Sequence, residues 1–375
     1  MRGEAARPIV IAAGGTGGHF FPAEALADVL IRRGHRVALM TDRRSGGEKS
    51  AVFAGREAFV LPGAGIAGRG LRRGLQAAAA LAAGTLEARR VLARIEPSAI
   101  VGFGGYPSVP PVLAARMLKR RPMVILHEQN AVLGRANRLL ARFADRIALG
   151  VAETRRVPSM PQVVTGNPVR PAIAALAGQG YTPPEGDAPI RVLVTGGSQG
   201  ARVFADALPA AFGLLPERIR SRLRLVQQCR AEDLERVRAS YAGLGIAAEL
   251  SPFFADMASC LAAADFVVAR AGASTVTELA IAGRPALLVP FPHAIDHHQT
   301  FNARAIHAVM MEQSEFERRP GVLAQRLLEL LDGPDLLATA AHAIAEHAIP
   351  DAADRLADMV EMALVAENGA QEITA

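Results

Sequence analysis

Short apolar runs that end in glycine alternate along this chain with longer stretches of helical periodicity. The first run, residues 8–13, stops at GGTGGH, and a helical stretch follows over 21–33, ending before Gly34. Further apolar runs fall at 35–41, 58–61, 98–102, 122–127, 145–149 and 162–165, with alanine-rich helical stretches at 75–95 and 109–119 between some of them. Runs this short, bounded by turn residues, read as buried strands. Strands alternating with helices predict a parallel sheet with helices on both faces.

The pattern breaks at GQGYTPPEGD, Gly178 to Asp187, where glycine and proline punctuate the chain. It then restarts, with strands expected at 191–195, 223–227, 246–249, 265–269 and 286–290 and a helix over 272–283. An amphipathic helix is expected over 350–368. The fold class is therefore α/β, with two doubly wound, Rossmann-like domains. The expected boundaries are 1–168 for the first domain, 169–345 for the second, and 346–375 for a C-terminal helix packing back on the first. A length of 375 residues fits two domains of ordinary size.

Composition narrows the partners. Half of the residues are hydrophobic, enough for two cores, whereas aromatics are 5% and tryptophan is absent, so Ala, Val, Leu and Ile must do the packing. The net charge is +6, and only Lys49 and Lys119 are lysines, so nearly all the positive charge is arginine. Arginine suits bidentate phosphate binding. A basic balance favours nucleotides, a membrane surface or nucleic acid, although genomic base composition would also produce an arginine bias. Cys229 and Cys260 form no CxxC pair and read as buried free thiols. No signal peptide and no membrane-length apolar run is found, which predicts a cytoplasmic protein with surface binding to membranes left open.

Three glycine turns follow expected strands: GGTGGH from Gly14, GFGGYP from Gly102 and GGSQG from Gly196. Glycine lets backbone turn sharply and approach a ligand closely, and the next helix aims free N–H groups and a positive dipole end at that spot. An anion is the natural occupant. Neither the spaced G-x-G-x-x-G fingerprint nor a G-x-x-x-x-G-K-[ST] loop is present. His19 has two functional readings, a general base near neutral pH or a donor to a pyrophosphate. A helix cap is the structural alternative.

RAGASTVTE, Arg270 to Glu278, holds a second cluster. Thr275 and Glu278 have capping-box spacing. The functional alternative places Glu278 on the adjacent hydroxyls of a ribose. PFPHAIDHHQTFN, Pro290 to Asn302, follows a strand end, where ligands of open α/β sheets collect. His293, Asp296, His297 and His298 invite a metal reading, but their spacing does not commit to zinc. The amides of Gln299 and Asn302 suit sugar hydroxyls better.

Seven stretches carry a resemblance that covers nearly the whole chain. They are GGTGGHFFP from Gly14, GGY from Gly104, HEQN from His127, TGNP from Thr165, GGSQGA from Gly196, RAGASTVTE from Arg270 and DHHQTFNA from Asp296. Together they resemble the bacterial lipid II-forming glycosyltransferases, the UDP-N-acetylglucosamine–N-acetylmuramyl-(pentapeptide) pyrophosphoryl-undecaprenol N-acetylglucosamine transferases. The resemblance implies a fold of the glycosyltransferase B type, two domains facing a cleft, the N-terminal one facing acceptor and membrane and the C-terminal one binding UDP-GlcNAc. It implies inverting transfer of GlcNAc from UDP-GlcNAc to the 4-hydroxyl of the MurNAc of lipid I, giving lipid II with a β-1,4 link and UDP in peptidoglycan synthesis. The expected location is peripheral, on the cytoplasmic face of the inner membrane. Expected partners are UDP-GlcNAc, lipid I, the anionic membrane surface and other cell-wall synthesis proteins, with no nucleic acid. No tightly bound cofactor and no metal site is expected.

Roles carry over residue by residue. Thr16, Gly17 and Gly18 match the loop that meets the donor, and His19 matches the histidine near the acceptor hydroxyl. Asn130 matches a donor-sugar contact, Arg170 an arginine near the phosphates, and Ser198 a serine on the diphosphate. Phe254 stands where the family has its uracil-facing residue. Ala273, Ser274, Thr275, Val276, Thr277 and Glu278 match the nucleoside-binding turn, with Glu278 on the ribose. Gln299 matches the glutamine that reads the GlcNAc hydroxyls, and His298 stands where some relatives have glutamine. Charge on the leaving UDP is expected to be met by the backbone of the GGSQG turn, Ser198, Arg170 and a helix N-terminus. The catalytic base is His19 or Glu128, with Tyr106 as a supporting donor. Arg69, Arg72 and Arg73 beside Leu71 and Leu75 suit anionic lipid. Two competing readings are a UDP-GlcNAc 2-epimerase, which shares the fold and donor, and a non-catalytic nucleotide-sugar binding subunit.

Overall fold

A computed structural model of the chain describes residues 7–14, 17–42, 50–62, 71–197 and 200–374, without the side chains of 71–74 and 367–374. The chain parts into two compact units. One is Met1–Arg170 together with Asp351–Ala375, and the other is Pro171–Pro350.

The first unit is built on seven strands: β1 (Ile9–Ala12), β2 (Val37–Thr41), β3 (Ala58–Val60), β4 (Ala99–Gly102), β5 (Met123–Glu128), β6 (Arg146–Leu149) and β7 (Gln162–Val164). Every pairing is parallel, in the order β3-β2-β1-β4-β5-β6-β7. Strands covered on both faces need apolar residues at every position, and β1, with the sequence IVIA, is buried throughout. Alternate side chains then feed opposite layers. Ile9 and Ile11 pack with Leu26 and Leu30 of the helix Gly17–Arg32, and Val10 and Ala12 pack with Ala88 and Leu92 of the helix Leu71–Ile95.

The helix Ala352–Thr374 closes the first of these layers with Leu356, Met359 and Val360. Arg33 pins it from outside, donating to Asp358 at 2.6 Å, Glu361 at 2.7 Å and Asp354 at 3.0 Å. Those acids lie one helical turn apart, on a single face.

The second unit has six parallel strands: β8 (Ile190–Thr195), β9 (Leu223–Gln228), β10 (Ala247–Ser251), β11 (Phe266–Ala269), β12 (Ala286–Leu288) and β13 (Val309–Met310). Their order is β10-β9-β8-β11-β12-β13. The two-residue β13 has no sequence signature of its own and is recruited by pairing with β12. In both sheets the first strand is central and the chain order reverses beside it. Those reversals, β1/β4 and β8/β11, are the switch points where open α/β sheets bind ligands.

Candidate active site

At the first switch point, the turn after β1 is shorter than its glycines suggest. The helix starts at Gly17, not near residue 21, so Gly17, Gly18 and His19 form its first turn. Gly14 answers to packing: a Cβ there would lie 2.9 Å from both the Thr41 hydroxyl and the Asp42 carboxylate, and 3.0 Å from Pro107. Thr16 lies outside the described residues.

His19 leans on the turn after β4. An ideal Cβ on Gly105 would sit 3.7 Å from His19 Nε2, an ordinary contact distance, so it is the φ of +67° and not the ring that calls for glycine here. His19 Nδ1 is 3.0 Å from Gln129 Oε1. The Gln129 side-chain amide donates to the Phe103 carbonyl at 3.0 Å and lies 3.1 Å from His127 Nδ1. His127 Nε2 in turn lies 3.0 Å from the Gly166 carbonyl. Burial pulls His127 down to about 4, against the opposing pull of the Gly166 carbonyl and the Glu128 charge. Tyr106, in the same glycine turn, has a buried hydroxyl with no hydrogen-bond partner among the described residues.

Glu128 ends β5 and is 2% exposed. Its Oε1 accepts from the Asn130 backbone and side-chain amides, both at 3.0 Å, and its Oε2 accepts from Gly134 N at 2.8 Å and Asn137 Nδ2 at 2.9 Å. Four donors occupy the carboxylate, which therefore shapes the loop that presents Asn130. Arg170, the last residue of the first unit before Pro171, stacks its guanidinium 4.8 Å from the Phe21 ring centre.

At the second switch point, only glycine fits at position 196, because a Cβ there would come within 2.2 Å of the Ala201 nitrogen. The N–H groups of its three described glycines have partners. Gly196 N donates to Gln228 Oε1 at 3.0 Å, Gly197 N to Thr195 Oγ1 at 3.3 Å and Gly200 N to the Gly197 carbonyl at 3.0 Å. Ser198 lies outside the described residues.

The helix Ala273–Ala282 has Gly272 as its N-cap, with no side-chain cap, and ends at Gly283 in the left-handed conformation that suits glycine. Thr275 is thus inside the first turn and not at the cap, which removes the capping-box reading of Thr275 and Glu278. Glu278 sits half-buried in the second turn. Ser274 has a buried hydroxyl without a partner among the described residues. Thr277 bonds back to the Ala273 carbonyl at 2.9 Å, and Val276 is buried, so neither presents a free polar side chain at this turn. Phe254 lies half-buried in the loop after β10, whose Pro252 carbonyl accepts from Gln228 Nε2 at 3.3 Å.

Gln299 is oriented by its neighbour. Its Oε1 accepts from Phe291 N at 2.9 Å, which leaves its NH₂ as the group to meet a hydroxyl. His298 donates Nδ1–H to the Ile295 carbonyl at 2.9 Å, so its Nε2 carries the lone pair when the ring is neutral. Asn302 does not read a ligand, since it is fully buried and its amide donates to the Ala271 carbonyl at 3.0 Å. Arg270 is likewise internal, holding the Val289 and Pro290 carbonyls and Gln313 Oε1, and burial lowers it to about 10. Among the described residues no three His, Cys, Asp or Glu side chains are grouped to hold a metal ion.

Three residues that bear on these clusters escaped the sequence reading. His127 and Gln129 lie within HEQN, but only the fold shows that they face His19 while the carboxylate faces the loop. Gln228 has no motif around it, and only the fold brings it beneath Gly196.

Comparison with known proteins agrees along the chain. Residues 9–149 match the glycosyltransferase family 28 N-terminal domain, and residues 191–356 match the C-terminal domain of the same family. The UDP-N-acetylglucosamine–N-acetylmuramyl-(pentapeptide) pyrophosphoryl-undecaprenol N-acetylglucosamine transferase of Granulibacter bethesdensis is 58% identical, over 97% of this chain and 95% of that protein. The crystal structure of Acinetobacter baumannii MurG superposes with a TM-score of 0.76 at 31% identity, over 95% of this chain and 99% of that one. UDP-GlcNAc 2-epimerase from Neisseria meningitidis shares the fold, with a TM-score of 0.64 at 11% identity over 95% of this chain and 100% of that one. With that degree of identity sustained from end to end, the chain belongs to the UDP-N-acetylglucosamine–N-acetylmuramyl-(pentapeptide) pyrophosphoryl-undecaprenol N-acetylglucosamine transferases of glycosyltransferase family 28.

Proposed function

We propose that this chain is a UDP-GlcNAc-dependent glycosyltransferase that moves GlcNAc from UDP-GlcNAc to the 4-hydroxyl of the MurNAc of lipid I, giving lipid II and UDP. The observation that carries the reading is the 58% identity over 97% of the chain to a transferase of that name. The second unit takes the donor. Its uncapped helix N-terminus at Ala273, the Ser274 hydroxyl, the Glu278 carboxylate and the outward NH₂ of Gln299 suit diphosphate, ribose and sugar. Phe254 faces the uracil, and Arg170 and Ser198 meet the phosphates.

The first unit takes the acceptor. Inverting transfer forms a bond from the acceptor oxygen to the anomeric carbon while the bond to the diphosphate breaks on the opposite face. The electron pair leaves on UDP and the hydroxyl proton goes to a base. His19 is that base, Asn130 contacts the donor sugar, and Glu128 acts by holding the Asn130 loop rather than by taking the proton. Tyr106, whose hydroxyl has no partner among the described residues, supports the acceptor.

Among the described residues no helix is long and apolar enough to cross a membrane. Contact with an anionic cytoplasmic membrane face is supported by Arg69, Arg72 and Arg73 beside Leu71 and Leu75, although Arg69 and the side chains of residues 71–74 lie outside the described structure and only Leu75 is seen to be exposed. The deciding experiment is transfer of radiolabelled GlcNAc from UDP-GlcNAc to a lipid I analogue. Labelled disaccharide lipid supports the reading, whereas conversion of UDP-GlcNAc to its 2-epimer without acceptor, or no turnover at all, overturns it.

A further inference from the structure

The side chains behind His19 form an ordered chain of donors and acceptors. The Phe103 carbonyl only accepts, so the Gln129 atom 3.0 Å from it is the NH₂ nitrogen. That fixes Gln129 Oε1 toward His19 Nδ1, at 3.0 Å. An amide oxygen only accepts, so His19 Nδ1 must carry a proton. At the other end, the Gly166 carbonyl only accepts, so His127 Nε2 carries its proton. The neutral His127 ring then has its lone pair at Nδ1, where the second N–H of Gln129 points at 3.1 Å. Every polarity in the series agrees, and Gln129 (2% exposed) and His127 (0%) are shielded from water that could offer alternatives.

We propose that Gln129 is a positioning residue for the transfer, holding His19 in the Nδ1–H tautomer so that Nε2 is the atom that takes the acceptor's proton. His127 acts behind it by fixing the direction of the Gln129 amide. This rests on the reading of His19 as the base. The ring's one hydrogen bond among the described residues is at Nδ1, and its Nε2 edge faces the Gly105 backbone in the turn that carries Tyr106. The same contact also serves the step itself, because Nδ1–H···O=C strengthens when the ring becomes an imidazolium.

The test reads the tautomer and the rate separately. Long-range ¹H–¹⁵N correlation spectra of histidine-labelled protein, with the His19 signals assigned by their loss in His19→Ala, are expected to show Nδ1 protonated and Nε2 bare at alkaline pH. An Nε2–H tautomer in the wild type overturns the proposal without any variant. In Gln129→Met, of similar length but without the amide, both tautomers are expected to be populated. Its kcat should drop about 10-fold or more, short of the ~10²–10⁴ expected for loss of the base itself, while UDP-GlcNAc KM and UDP affinity stay unchanged. A His19 tautomer unaltered in Gln129→Met, or a lower kcat with an equally raised KM, overturns Gln129 as the positioning residue. If the tautomers behave as expected but His19→Ala keeps the wild-type rate, the assignment of His19 as base fails and the transfer reading itself stands untouched.

Discussion

Acidification should unfasten the first unit through one histidine. His127 is fully buried, and its neutral ring uses both nitrogens, one donating to Gly166 and one accepting from Gln129. A second proton would place N–H against N–H at Nδ1 and leave a charge without water. The ring titrates at about 4 in the folded protein and at 6.5 when unfolded, with burial the main cause. Between those values the unfolded chain binds more protons than the folded one, so stability rises with pH. The contribution is therefore complete above pH ~6.5, declines as pH falls through the window, and is lost below pH ~4. A gap of about 2.5 units corresponds to about 3 kcal/mol, at 1.36 kcal/mol per unit. The measurement is urea unfolding at a series of pH values for wild type and His127→Gln, followed by circular dichroism because the chain has no tryptophan. Hydrogen exchange of amides in β1, β4 and β5 separates the first unit from the second. The wild type should lose about 3 kcal/mol more than the variant between pH 6.5 and 4. Parallel pH profiles for the two proteins would refute the argument.

Glu128→Gln should turn one acceptor oxygen into a donor facing donors and cost about 1–3 kcal/mol of stability; a normal melting curve with kcat sharply reduced would instead make Glu128 the base. Glu278→Ala should weaken UDP binding about 10- to 100-fold, the loss of a charge-assisted bond of about 1.5–3 kcal/mol, as read by calorimetric titration. An early melt with UDP binding intact would instead give Glu278 a structural role. Gln299→Glu keeps the acceptor that Phe291 N requires and removes the outward NH₂, so kcat/KM for UDP-GlcNAc should fall while UDP affinity is retained. Equal weakening toward UDP and UDP-GlcNAc would reject Gln299 as the sugar reader.

The strands were legible because parallel sheets demand continuous apolar runs, and runs such as Ile9–Ala12 and Phe266–Ala269 contain little else. The start of the first helix was misplaced because glycine has poor helix propensity, yet Gly17 and Gly18 are helical where the helix enters the switch point. The capping-box spacing of Thr275 and Glu278 misleads for a related reason: the helix already starts at Ala273, two residues before Thr275, with Gly272 as its N-cap. Asn302 and Gln299 look alike in sequence, as amides in one polar stretch. Burial separates them, because one is sealed against the Ala271 carbonyl and the other keeps a donor outward. Gln228 had no local signal, since its partners Gly196 and Thr195 are some thirty residues away in sequence and meet it through the pairing of β8 with β9.

A histidine base is commonly oriented by a carboxylate, whose charge also steadies the imidazolium. In the arrangement proposed for His19 the orienting group is a neutral amide, although a carboxylate stands next to it in sequence. Glu128 is turned away into four hydrogen bonds of its own, and Gln129 faces the ring. The donor gives a physical reason for that choice. UDP-GlcNAc carries a diphosphate whose negative charge grows as the glycosidic bond breaks, and a neutral amide behind the base adds no negative charge to oppose that growth. The leaving group needs no protonation, so the base has one task, to accept a single proton at a defined nitrogen. An amide locked by Phe103 and His127 specifies that nitrogen without bringing a charge. On the proposed reading the HEQN segment divides its labour: His127 orients Gln129, Glu128 shapes the loop, Gln129 sets the tautomer of His19, and Asn130, the half-exposed member, meets the sugar.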